Sequence, residues 1–322
     1  MAKRIQILLI FIFVLTLFSV SLSFIKMFQK KESFFKTKTS FLKPTIAKKG
    51  IAKLTLKGMI HDEFMQDGIY ASQIVDWLDA IRVSESILGL LIEYDSPGGE
   101  VGATKKIYDS LKELRKEKPI VSYTNSICTS GCYYLASISD RVLAQESAII
   151  GSIGVIIIRP NINRLLDKIG ISIDILKAGS YKDFSYPFRE LTEDEKKMYE
   201  EILDTSYNVF ISDVSNGRKQ SIQTVKEQWA EGRIFSGRKA KALQLIDDLG
   251  GEKEAIHSLK LLLKITEELP IYEPEEDNLF FLLKLLSLFT ENMQEKIFLN
   301  HQVYYLFPNS QILLHLKKSF IE

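Results

Sequence analysis

Apolar and polar positions change their period several times along the 322 residues, and each change marks an element. From Ile5 to Ile25 no residue is charged, while Lys3 and Arg4 precede the run and Lys26, Lys30 and Lys31 come after it. That length suits one helical crossing of a bilayer and exceeds the apolar core usual in a secretory signal. An uncleaved anchor over 5–25 is expected; a cleavable signal, with Ser21 and Ser23 as its small residues, is the alternative. Either exports the remainder of the chain. Basic residues at both ends orient the segment weakly, but the short stub 1–4 and the large domain behind it favour an inside N-terminus. Residues 26–49, rich in Lys, Ser, Thr and Phe, read as a tether.

A different pattern begins near residue 50. Ile51–Lys57 alternates as a short strand, and Ile74, Val75, Leu78 and Ile81 carry helical spacing through Ala71–Val83. Ile87–Tyr94 is almost continuously apolar, as in a strand buried on both faces. It stops at Asp95-Ser96-Pro97-Gly98-Gly99, a strong breaker. Val101–Arg115 then reads as an amphipathic helix, Pro119–Tyr123 as a strand and Ser130–Ser137 as a helix. Arg141–Ala144, Ile153–Ile158 and Ser172–Lys177 read as strands, with a helix over Ile162–Ile169. Alternating strands and helices with short connections indicate an α/β fold with parallel strands. In such sheets the C-terminal ends of the strands share a rim where ligands sit, so the Asp95–Gly99 turn and the Ser130 loop should meet there.

Helix dominates beyond residue 190. Thr192 with Glu195 three residues on forms a capping box for a helix expected to reach about Asn216. Shorter helices are expected over Ile222–Trp229, Ser236–Leu245 and Lys253–Ile265, with a loop from Pro270 to Asp277. Leu279–Phe289 is strongly apolar and fits a core helix, an oligomer contact or a membrane-lying surface. The main domain is thus expected over 50–265, with 266–322 as a helical extension and tail.

Composition narrows the function classes. Basic residues number 42 and acidic residues 41, so the chain has no electrostatic footprint for nucleic acid. Two cysteines, Cys128 and Cys132, are too few for a zinc pattern. They fit either two small buried fillers, the simpler reading, or a disulfide, which export would permit. His61, His257, His301 and His315 lie outside the glycine-marked loops and read as surface or packing residues.

The candidate chemistry lies in those loops. Ser130 is followed by Gly131, which lets the backbone turn sharply and turn an N–H towards a substrate oxygen. At a helix N-terminus free N–H groups and the dipole favour the negative charge of an acyl-transfer intermediate. The plainer use of such a serine is an N-cap. Gly98 and Gly99 can present further N–H groups. Lys182, in Gly179-Ser180-Tyr181-Lys182-Asp183, lies among Tyr181, Phe184, Tyr186 and Phe188. Aromatic cover would favour a neutral amine able to take the Ser130 proton. Ser152, between Gly151 and Ile153, is placed to orient that amine.

Seven segments carry a family resemblance in order: Asp-Ser-Pro-Gly-Gly at 95–99, Thr-Ser-Gly-Cys-Tyr-Tyr at 129–134, Gly-Ser-Ile-Gly-Val-Ile at 151–156, Gly-Ser-Tyr-Lys-Asp at 179–183, Pro-Phe-Arg-Glu-Leu-Thr at 187–192, Gly-Arg-Ile-Phe-Ser-Gly at 232–237 and Ile-Asp-Asp-Leu-Gly-Gly at 246–251. Together they resemble the short, single-domain form of bacterial signal peptide peptidase A. The resemblance implies a ClpP/crotonase-like fold, a membrane-anchored serine peptidase with a Ser–Lys dyad, and a place at the cytoplasmic membrane with the catalytic domain outside. It implies Ser130 as nucleophile, Lys182 as general base, Ser152 beside it, and Gly98, Gly99 and Gly131 as the oxyanion region. It further implies remnant signal peptides as substrates, no cofactor, and a homo-oligomeric ring in which neighbouring chains complete each site. One position departs: Cys132 stands where the family usually has a second glycine. A blocked ring scaffold and, on the shared fold, an acyl-CoA enzyme are the competing readings.

Overall fold

The computed structural model describes residues 48–62 and 68–274 and the backbone of 303–306. The expected anchor, most of the tether and the apolar run 279–289 lie outside the described residues. In chain order the elements are β1 (Gly50–Lys57), β2 (Met59–His61), β3 (Gly68–Tyr70), α1 (Ala71–Val83), β4 (Ile87–Ser96), β5 (Gly98–Glu100), α2 (Val101–Arg115), β6 (Ile120–Thr129) and α3 (Gly131–Ser137). Next come β7 (Arg141–Ala144), β8 (Ile149–Gly151), β9 (Ile156–Ile157), α4 (Asn163–Lys168), α5 (Glu193–Arg218), α6 (Ile222–Thr224), a π-helical turn at Val225–Trp229 and β10 (Ile234–Ser236). The last are α7 (Gly237–Ala242), β11 (Asp248–Leu249), α8 (Glu252–Leu263), β12 (Ile271–Tyr272) and β13 (Val303–Leu306).

Eight strands make the main sheet in the order β10-β8-β6-β4-β1-β12, with β7 on β6 and β11 on β7. Its centre is parallel: β4 pairs with both β1 and β6 in that sense, and β10 joins β8 antiparallel at the edge. Central strands need two apolar faces, which explains the unbroken apolar run of β4. Leu90 and Ile92 enter the larger core with Leu78 and Ile81 of α1 and Ile107 and Leu111 of α2. Leu91, between them, faces the other way and packs with Val121, Tyr123, and Ala255 and Leu259 of α8. Each such side chain contributes roughly 1.5–3 kcal/mol on full burial. The result is a mixed α/β architecture: a largely parallel sheet flanked by helices on both faces.

A second sheet runs β3-β2-β5-β13-β9 across one end of the first. α3 is held below it by aromatic packing, with the Tyr134 ring 4.7 Å from both Tyr108 and Phe210. Among the described residues no helix is long and apolar enough to cross a membrane.

Helices α1 and α2 occupy the residues expected from periodicity, and the Thr192 capping box opens α5 as expected. Three expectations change. The strand over 153–158 contracts to two residues, and Ser172–Lys177 forms no strand in the single chain. The expected loop after Pro270 contains β12, which pairs in parallel with Ile51 and Ala52. Strands this short carry too few residues to show a period and are made by their partners.

Candidate active site

The two loops expected on one rim do meet. Ser96, ending β4, pairs with Cys128 near the end of β6, and the Thr129 hydroxyl donates to the Pro97 carbonyl at 3.3 Å. The Gly98 backbone has a φ of 101°, open to glycine without strain. The Gly98 N–H donates to Ser96 Oγ at 3.2 Å. Gly99 lies against β2 so closely that a Cβ would stand 2.1 Å from the Ile60 carbonyl oxygen. Both glycines of the expected oxyanion region are thus in β5, opposite Leu306 and Tyr305 of β13.

Ser130 stands between β6 and α3 with φ 56° and ψ −124°. For a residue with a side chain this conformation costs about 1–3 kcal/mol. Among the described residues three other hydroxyls open helices, Thr192, Ser221 and Ser236, and each has an extended backbone and caps the helix through its side chain. Ser130 makes no such cap. Its Oγ is fully buried and has no hydrogen-bond partner among the described residues. The plain N-cap reading is therefore excluded by geometry. The turn is held by Ser130 N–H donating to the Gly151 carbonyl at 2.7 Å and by Tyr134 N–H donating to the Ser130 carbonyl at 2.9 Å. Helix geometry leaves the Gly131 N–H beside it without an intrahelical acceptor.

Ser152 follows Gly151 directly, so the same contact brings it next to the Ser130 turn. It too has a positive φ, 55°, and its N–H donates to the Arg233 carbonyl at 2.6 Å. Ser130 and Ser152 are both buried.

Lys182 makes no hydrogen bond to either serine. It is exposed, and among the described residues its amine has no hydrogen-bond or ion-pair partner. The aromatic cover expected around it is absent in the single chain: Phe184 packs on Tyr199 at 5.0 Å and Tyr186 stacks with Phe188 at 6.0 Å. The arm that carries Lys182 is nevertheless firmly braced. Arg189 holds the carboxylates of Asp183 and Glu195 at 2.8 and 2.6 Å. Hydrogen bonds from Arg189 and then Lys177 hold the Asp183 carboxyl well below the usual carboxylate range. Arg189 likewise brings Glu195 down to about 2. Arg159 adds bonds to the carbonyls of Phe184 and Arg189 at 3.1 and 2.7 Å. No sequence pattern pointed to Arg159. Asp183 and Arg189 lay inside motifs without a role and Glu195 was read only as part of the capping box, because spacing alone does not show that three charges converge.

The cysteines correct an expectation. They are buried, but as a Cys128–Cys132 disulfide with Cα atoms 5.1 Å apart, the two residues flanking Ser130 in sequence. A strand end and the first helical turn behind it come close enough for the bond.

Residues 112–266 match Peptidase family S49. A protein of Methanocaldococcus jannaschii named as a protease is 35% identical over 240 residues, covering 72% of this chain and 76% of the relative. The chain belongs to peptidase family S49. An Enterococcus faecium protein named as signal peptide peptidase SppA is 32% identical over 225 residues, 68% of this chain and 65% of that protein. A chloroplastic serine protease of Arabidopsis thaliana is 29% identical over 189 residues, 58% of this chain and 28% of its own length. This S49 chain is a serine-type peptidase of the SppA-like group, and its parallel sheet with flanking helices fits the ClpP-like S49 fold.

Proposed function

We propose that this chain is a membrane-anchored serine endopeptidase in which Ser130 of one copy works with Lys182 of a neighbouring copy in a homo-oligomeric ring. The observation that carries the reading is the pair of complementary lacks. Ser130 has a buried, unpartnered hydroxyl in a costly conformation, and Lys182 has an exposed amine without a partner on a braced arm. The arm also exposes Leu165, Ile169, Ile171, Ile173, Leu176 and Tyr181, far more apolar surface than a solvated loop needs. A second copy packed on it would cover that surface and desolvate the amine, which favours its neutral form.

In this mechanism Ser130 Oγ attacks the scissile carbonyl carbon as the Lys182 amine takes the hydroxyl proton. Ser152 orients the amine. The Gly131 N–H, with the Gly98–Gly99 backbone, stabilises the oxyanion. The ammonium returns its proton to the leaving nitrogen, and water then hydrolyses the acyl-enzyme with Lys182 as base once more. No metal or organic cofactor enters these steps.

Backbone placement supports extended peptides as substrates. β13 lies antiparallel to both β5 and β9, so the rim beside Ser130 already accepts a chain as a strand. A substrate strand would take that place by main-chain pairing, which is indifferent to sequence and suits varied apolar peptides. With 5–25 as an anchor and the domain on the extracytoplasmic side of a bacterial inner membrane, cleaved signal peptides are the substrates at hand. The E. faecium relative carries a name of that sense.

The test is labelling of the full chain with a fluorophosphonate, with the modified residue located by peptide mapping, alongside turnover of a synthetic signal peptide. Modification of Ser130 and loss of turnover with it are expected. A labelled residue other than Ser130, or full turnover in Ser130→Ala, would overturn the reading.

A further inference from the structure

We propose that the Cys128–Cys132 disulfide is a positioning element for Ser130: it keeps the strand-to-helix turn in the attacking conformation, and its reduction slows attack while leaving fold and peptide binding in place. This rests on the reading of Ser130 as nucleophile.

The bond closes a small ring with the serine at its middle, from the last-but-one residue of β6 to the second residue of α3. A loop so short gains the least in global stability from a cross-link, so its consequence is local. Thr192, Ser221 and Ser236 show what a hydroxyl does at a helix start in this chain when nothing prevents it: it takes an extended backbone and caps the third N–H of its helix. At Ser130 the equivalent relaxed state would turn Oγ onto the Tyr133 N–H and away from a substrate. The hydrogen bond from Tyr134 N–H to the Ser130 carbonyl does not oppose that rotation, because an N-cap residue accepts this bond in either state. The Ser130 N–H bond to Gly151 opposes it from one side. The disulfide opposes it from the other, since opening the turn moves Cys128 and Cys132 apart.

Reduction by a dithiol such as dithiothreitol balances as a two-electron exchange. One reductant thiolate attacks a sulfur and breaks the S–S bond, and the second closes the reductant into its cyclic disulfide. Cys128 and Cys132 are left as two thiols. Both sulfurs are buried, so completion is checked by alkylating and weighing the protein.

The experiment takes the full-length chain in detergent through oxidised, reduced and re-oxidised states, beside the Cys128→Ala/Cys132→Ala double variant. It measures kcat and KM on a fluorogenic peptide, the rate of Ser130 labelling by a fluorophosphonate, and circular dichroism. On reduction kcat and labelling rate are expected to fall by roughly tenfold or more, the size expected when a reacting group is misplaced. KM and the spectrum should hold, re-oxidation should restore the rate, and the double variant should sit at the reduced level whatever the reductant. Unchanged or faster turnover on reduction, a change confined to KM, or full turnover in the double variant would each overturn the proposal. An oxidised chain that neither turns over peptide nor takes label at Ser130 would overturn the nucleophile assignment, and this inference with it. Labelling at Ser130 that ignores reduction would overturn this inference alone.

Discussion

Ser130 and Gly99 show how differently two residues of one rim are constrained. Ser130 is constrained by its backbone and its burial: its φ is 56°, and its hydroxyl is buried with no partner among the described residues, where most buried polar groups find one. Gly99 is constrained sterically. Gly99→Ala would drive a methyl group into the Ile60 carbonyl, and β2 and β5 would have to part. We expect a loss of about 1–3 kcal/mol in denaturant unfolding together with impaired turnover. A variant of wild-type stability would show that the close approach of the two strands is not needed. At this scale the sequence was partly legible. The serine, the lysine and the glycines were evident from their motifs. The conformation of Ser130 was not, because a capping serine and this one have the same neighbours in one dimension. The disulfide was undecided for the same reason.

Among elements, those stabilised by their own period were legible and those made by distant partners were not. α1 and α2 bury regular apolar faces and lie where spacing put them. β2, β5, β8 and β12 are two or three residues long and exist through pairing. The run from Ser172 to Lys177 alternates like a strand, yet among the described residues no strand pairs with it, and Ile171, Ile173 and Leu176 are left exposed. The start of α5 is more local: the Thr192 hydroxyl accepts from the Glu195 N–H and the Glu195 carboxylate accepts from the Thr192 N–H. Thr192→Ala should cost about 0.5–2 kcal/mol, read from denaturant unfolding; no measurable loss would mean the box is redundant. Glu195 also ties this helix to the Lys182 arm through Arg189. Asp183 and Glu195 both titrate below their ordinary values in the folded chain, so their stabilisation is complete above the unfolded values and is lost as pH falls through the folded ones. For Glu195 that loss centres near 2, and for Asp183 it lies lower still. Amide exchange over 177–195 should therefore accelerate only below the ordinary carboxylate range. In Arg189→Met it should be fast at neutral pH. Protection that is independent of Arg189 would contradict the bracing.

On the scale of the whole molecule, the α/β class was readable from alternation alone, while the fate of the rim was not. β13 arrives from far along the chain to pair with β5 and β9, which no local pattern announces. If a substrate strand replaces it, deleting residues 303–322 should lower KM with kcat retained; a higher KM would mean that β13 builds the cleft instead of occupying it. The proposed division of Ser130 and Lys182 between copies would likewise be a property of the assembly. Its most direct measurement is peptide turnover by full-length Ser130→Ala, by Lys182→Ala, and by the two inactive variants assembled together at equal amounts. Each variant alone should be inactive. The mixture should recover about a quarter of wild-type turnover, because random neighbours in a head-to-tail ring restore one intact Ser130–Lys182 pair in four interfaces. Activity in either variant alone, or a mixture as inactive as its parts, would contradict a shared Ser130–Lys182 site.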